Sequence, residues 1–133
     1  MRRYVFSVLL LTALSACASE PPCAGVSRSL PDARKEALAP EIAKQLGVSK
    51  VDVLQSFGFK EWNIIYVNTH QSDEAFLFYG RDPLASRYVT LWSGGATQDE
   101  EESIRSWAVK NAPGIPAQLA RCFAWHVTKA RDL

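Results

Sequence analysis

Between Val48 and Trp92 the apolar residues stop recurring at helical spacing and fall into short runs rich in β-branched and aromatic side chains. Val51, Val53, Phe57 and Phe59 lie mostly two apart. Trp62 to Val67 (WNIIYV), Ala75 to Tyr79 (AFLFY) and Arg87 to Trp92 (RYVTLW) repeat that character. Such side chains are stiff at χ1 and fit a pleated surface. The stretches between them, 58–61, 68–74 and 80–86, are polar or turn-prone. Short β-type runs at this spacing predict an antiparallel meander of about four strands. The first run is the ambiguous one, because Ser49 and Asp52 could equally cap a short helix there.

Helical patterns frame this block. Ser29 is placed to cap a helix that begins around Leu30-Pro31-Asp32, with Asp32 and Glu36 suited to its positive end. Ala33, Ala37 and Leu38 start an apolar stripe that Ile42, Ala43 and Leu46 continue. Pro40 is expected to kink or restart this helix, since proline lacks the amide donor and crowds the preceding turn. Gly47 is a natural stop. After Ser93-Gly94-Gly95, Thr97 to Glu100 fits a capping box, and Ile104, Trp107, Ala108 and Ala112 then recur at helical spacing. Pro116 can open a last helix with Leu119, Ala120, Phe123 and Val127 on one face. The expected fold is α+β: a small antiparallel sheet, one apolar face of which is covered by N-terminal and C-terminal helices. Residues 29–133 suffice for a single domain with one core.

The first seventeen residues read differently. Arg2 and Arg3 are followed by a nearly unbroken apolar run, Val5 to Leu14, then small Ser15 and Ala16, then Cys17. That order is a secretory signal, too short for a stable membrane span. Leu14-Ser15-Ala16-Cys17 resembles the lipobox of bacterial lipoproteins. The resemblance implies cleavage before Cys17 by signal peptidase II, removing 1–16, and lipidation of Cys17 on its sulfur and new amino terminus. It implies 17–28 as a lipidated anchor and linker, and a membrane as one partner. Several acyl chains on one residue give stable anchoring where a single chain does not. In enteric-type bacteria an Asp after the cysteine favours inner-membrane retention. Ala18 and Ser19 stand there instead, which implies the outer membrane, facing the periplasm.

If lipid consumes Cys17, Cys23 and Cys122 remain. In an oxidising compartment that even remainder reads as one disulfide, with two separate thiols as the other reading. No CxxC or Cys/His cluster points to a metal, and no cofactor motif is present. Lys plus Arg number 15 against 14 Asp plus Glu, so no basic excess suits nucleic acid.

Candidates for chemistry are few. Thr69 to Glu74 (THQSDE) collects His70, Ser72, Asp73 and Glu74 between two strands. A histidine beside a carboxylate could act as an acid–base pair; a solvated hairpin loop is the plainer reading. His126 reads as a packed or surface histidine, although His70, His126 and Asp73 or Glu74 could hold zinc if the fold joined them. Ser93-Gly94-Gly95 lacks the Lys and spacing of a phosphate loop. The expected function is a membrane-anchored, periplasm-facing, non-enzymatic binding module for an envelope protein, or an inhibitor or immunity-type protein. The alternative is a small hydrolase or metal-dependent enzyme using the His70/Asp73/Glu74 loop.

Overall fold

A computed structural model describes residues 19–131. The signal at 1–16 and the lipidation of Cys17 lie outside the described residues. Helix α1 spans Asp32–Leu46, and strands β1 (Asp52–Phe59), β2 (Trp62–Asn68), β3 (Ala75–Tyr79) and β4 (Thr90–Ser93) follow. A single 3-10 turn, Gln98–Glu100, leads into α2 (Glu101–Asn111), and α3 (Ala117–Lys129) ends the fold. The strands form one antiparallel sheet in the order β1-β2-β3-β4. The α+β meander read from the sequence is therefore present, and its ambiguous first run is a strand.

Both faces of the sheet are covered, not one. Phe57, Ile64, Tyr66, Phe76 and Phe78 pack with Ile104, Leu119 and Phe123 of α2 and α3. Val53, Ile65, Val67, Leu77 and Tyr79 pack with Leu38 and Ile42 of α1. The cause is in β2 and β3, which run apolar without alternation, the pattern of strands buried on both sides. Ring stacking organises the larger side: Phe123 stands edge-on to Phe76 and Phe78, with centroids 5.3 and 4.8 Å away.

In β1 the spacing two apart does not keep one face. The register slips between Val53 and Gln55, so that Val53 faces Val67 while Gln55 faces Tyr66. Leu54 is the extra residue of this bulge, and it sends Val53 to the α1 side and Phe57 to the α3 side. Strand β4 begins only at Thr90, later than Arg87. The preceding loop is drawn onto α1 instead, where the Gln45 amide donates to the carbonyls of Pro83 and Ser86.

The helix ends follow their residues with two differences. Pro31, not Ser29, precedes α1, and its carbonyl receives the amides of Arg34 and Lys35. The helix also runs unbroken through Pro40, which lies on an exposed side with Glu36 and Ala37. Proline at 40 leaves the Glu36 carbonyl without its intrahelical amide donor at an exposed residue. Gly47 closes α1 at φ 69°, a left-handed conformation that favours glycine. The Thr97/Glu100 capping box forms. No described helix is long and apolar enough to cross a membrane.

Residues 20–28 are fastened to the domain. Cys23 is bonded to Cys122 on α3, which closes a sequence separation of 99. Ser27 and Gly58 exchange two backbone hydrogen bonds of 2.8 Å and so cap one edge of β1. The Gln118 amide donates to the carbonyls of Pro22 and Ala24, and Arg121 donates to that of Glu20 at 3.0 Å.

Candidate functional site

Strand β2 ends, and β3 begins, at the same end of the sheet, and the loop between them carries the polar cluster noted in the sequence. Asn68 folds this loop back: its Oδ1 accepts the amide of His70 at 2.8 Å. An Asx turn of this kind helps hold His70 at φ 60°, in the left-handed region. The turn directs His70 towards the start of β1, where its Nε2 lies 2.6 Å from Oδ2 of Asp52. The pairing follows from strand register, because Asp52 stands opposite Asn68. Both side chains are nearly half exposed.

Asp73 and Glu74 go elsewhere. With Asn68, Ser72, Gly94, Gly95 and Arg131 they line an open groove of about 500 Å³. Arg131, just past α3, supplies its cationic wall. Its Nη1 donates to the Gly94 carbonyl at 2.6 Å. Its guanidinium carbon lies 5.5 to 5.9 Å from the ring centroids of Trp92, Phe76 and Tyr66, within cation–π range. Tyr66 stacks on Phe76 at 4.1 Å and donates its hydroxyl to Glu74. Burial pushes the Tyr66 phenol above its ordinary range, and the hydrogen bond to the Glu74 carboxylate adds to this, against the opposing pull of Arg131. A neutral phenol therefore holds Glu74 in place, while an arginine braced on aromatic rings fixes the opposite wall.

The cluster is thus divided. His70 pairs with Asp52 rather than with Asp73 or Glu74, and the Ser72 hydroxyl lies 3.4 Å from Thr69 Oγ1. The groove holds no assembled nucleophile–base pair among its described residues. The zinc alternative is not assembled either. His126 is fully buried, 4.8 Å from the Phe57 ring and 6.1 Å from that of Phe76. It lies four residues after Cys122 and three after Phe123, on the buried stripe of α3. Among the described residues no group of three or more His, Cys, Asp or Glu side chains is placed to hold a metal ion. At Ser93-Gly94-Gly95 the backbone offers a carbonyl to a cation, the reverse of an anion cradle. Sequence reasoning missed Asp52 and Arg131. The hairpin register could have found the first; no spacing signals the second.

Comparison with protein-family models, with curated proteins and with solved structures finds no match.

The Tyr66 environment makes a prediction for alkaline pH. Burial also raises the phenol of Tyr79, far above its ordinary range. Both folded phenols keep protons that an unfolded chain releases near pH 10. Their contribution to stability is therefore complete below about pH 10 and is lost as pH rises through the folded values. Phenolate absorbance should show a fraction that ionises only on unfolding. Glu74→Gln should bring Tyr66 nearer to normal titration and leave Tyr79 unchanged.

Proposed function

We propose that this chain is a lipid-anchored envelope protein, facing the periplasm, that works as a non-enzymatic binding module with the groove as its recognition surface. Leu14-Ser15-Ala16-Cys17 supports the anchor, and the Cys23–Cys122 disulfide suits an oxidising compartment. The observation that carries the binding reading is the make-up of the groove. Glu74 is held by the Tyr66 hydroxyl, Asn68 by the His70 amide and Arg131 by the Gly94 carbonyl and aromatic rings, beside exposed Asp73, and the groove's one hydroxyl-bearing loop residue, Ser72, faces another hydroxyl rather than a base. Such a surface selects by shape and charge, as preorganised interfaces do. The occupant is an envelope protein or an incoming secreted protein that presents basic and polar groups to Asp73 and Glu74.

In-cell crosslinking followed by isolation from detergent-solubilised envelopes tests this. One protein should be recovered in stoichiometric amount with the unaltered chain and lost with Asp73→Lys, a substitution at an exposed position outside the core. Recovery of no such protein, or equal recovery with Asp73→Lys, would count against the reading. The enzymatic alternative retains one favourable observation, the His70–Asp52 contact. An exposed pair of this kind contributes about 1 kcal/mol at most. His70→Ala is expected to change stability by no more than that and to leave partner recovery intact.

A further inference from the structure

We infer that the groove between the β2–β3 loop and Gly94-Gly95 also takes a small zwitterion, a free amino acid whose ammonium lies at Asp73 and Glu74 and whose carboxylate lies at Arg131. This ligand is a second class of occupant for the groove proposed above, and its binding needs neither the anchor nor a protein partner.

Asp73, Glu74 and Arg131 are the ionisable residues that line the groove. Such charges could cancel by pairing with one another. They do not: neither carboxylate forms an ion pair with Arg131 among the described residues. Each side chain is held elsewhere. Glu74 accepts the Tyr66 hydroxyl, and Asp73 is exposed. Arg131 donates from Nη1 to the Gly94 carbonyl, and its guanidinium carbon lies 5.5 Å from the Trp92 ring centroid and 5.9 Å from that of Tyr66. The Tyr66 phenol feels both neighbours, since Glu74 strengthens its hold on the proton and Arg131 weakens it. A cation and a carboxylate thus flank one tyrosine without neutralising each other.

This arrangement discriminates between ligands by charge. A lone anion drawn to Arg131 also meets two carboxylates, and a lone cation drawn to Asp73 and Glu74 also meets the guanidinium. A molecule that carries both signs satisfies both walls. The guanidinium has five N–H donors in a fixed fork, and Gly94 occupies one of them, so a carboxylate can be bound by the others. Ser72 adds a hydroxyl at the same rim. About 500 Å³ is the size of a small-molecule site. Two carboxylates against one guanidinium leave an excess of negative charge, which favours an amino acid with a further cation. Lysine should therefore bind more tightly than glycine. The groove is open to water, so the affinity is modest, roughly millimolar.

The test uses the isotope-labelled full-length protein in a nonionic detergent. It is titrated with lysine, glycine, lysine amide, which lacks the carboxylate, and diacetyl-lysine, which lacks the ammonium groups. The NMR amide shifts of Ser72, Asp73, Gly94 and Gly95 report on the groove. Lysine should saturate these shifts, and glycine should need several-fold more. Removal of either charge should weaken binding about tenfold, the effect of one charge-assisted hydrogen bond. Arg131→Gln should weaken lysine by a similar factor without weakening lysine amide. Asp73→Asn, at an exposed position outside the core, should weaken lysine and lysine amide alike. Equal binding of lysine and lysine amide would overturn the zwitterion site and leave a site for cations alone. Absence of shifts at tens of millimolar lysine would overturn it as well. Partner recovery from envelopes keeps the two readings apart. Lysine shifts with no protein recovered would remove the protein partner and leave the zwitterion site standing.

Discussion

Replacing Cys23 and Cys122 together by alanine is expected to lower the free energy of unfolding by about 4–5 kcal/mol, from the chain entropy released when a loop of this length is opened. The sequence separation of 99 spans nearly all the described chain, so the cross-link restricts almost the whole unfolded state. Small domains hold only about 5–15 kcal/mol in total. The loss would therefore be a large part of the whole. Urea denaturation followed by tryptophan fluorescence measures it. The slope of free energy against urea should rise as well, because an unfolded chain without the cross-link exposes more surface. The same change leaves residues 20–24 held to α3 only by the hydrogen bonds from Gln118 and Arg121. A loss of less than 1 kcal/mol, with an unchanged slope, would show that the bond does not restrict the unfolded chain.

Phe123→Ala should cost a similar amount by a different route. The ring is fully buried and meets Phe76, Phe78 and Trp92 edge-on, with centroids 5.3, 4.8 and 5.7 Å away. Truncation of such a residue removes its transfer free energy and leaves a cavity, together about 3–5 kcal/mol. The change acts on the folded state, so the midpoint should fall while the urea slope stays constant. Trp92 and Phe76 also carry Arg131, so loss of their neighbour should loosen the groove wall. Weaker partner recovery at a temperature where the variant remains folded is the expected secondary effect. Stability within about 1 kcal/mol of the parent chain would mean that the side chains around Phe123 close the gap, against the packing described.

The four strands were legible because aromatic and β-branched residues cluster between turn-prone segments. The covering of both sheet faces was written in the same residues: WNIIYV and AFLFY do not alternate, and only burial on two sides tolerates that. The bulge at Leu54 was not legible. Apolar residues two apart read as one face, and only the pairing with β2 shows that the face changes. Cysteine parity foretold the disulfide, whereas the bonds from Gln118 and Arg121 to the linker depend on tertiary placement. In the groove, Asp73 and Glu74 belonged to a recognisable polar loop. Arg131 did not, because its neighbours come from β2, β3 and the segment after β4, which only the folded chain brings together. His126 reads from the sequence as a packed or surface histidine, and its place on the apolar stripe of α3 puts it among phenylalanines.

Mass spectrometry of the protein isolated with its membranes tests the central claim most directly. The account predicts a chain that begins at Cys17, lacks residues 1–16 and carries a diacylglyceryl group on the sulfur and an acyl group on the amino terminus, with Cys17→Ser releasing the domain into the aqueous fraction. An unmodified thiol at position 17 in the native protein, with the chain soluble in buffer, would contradict it.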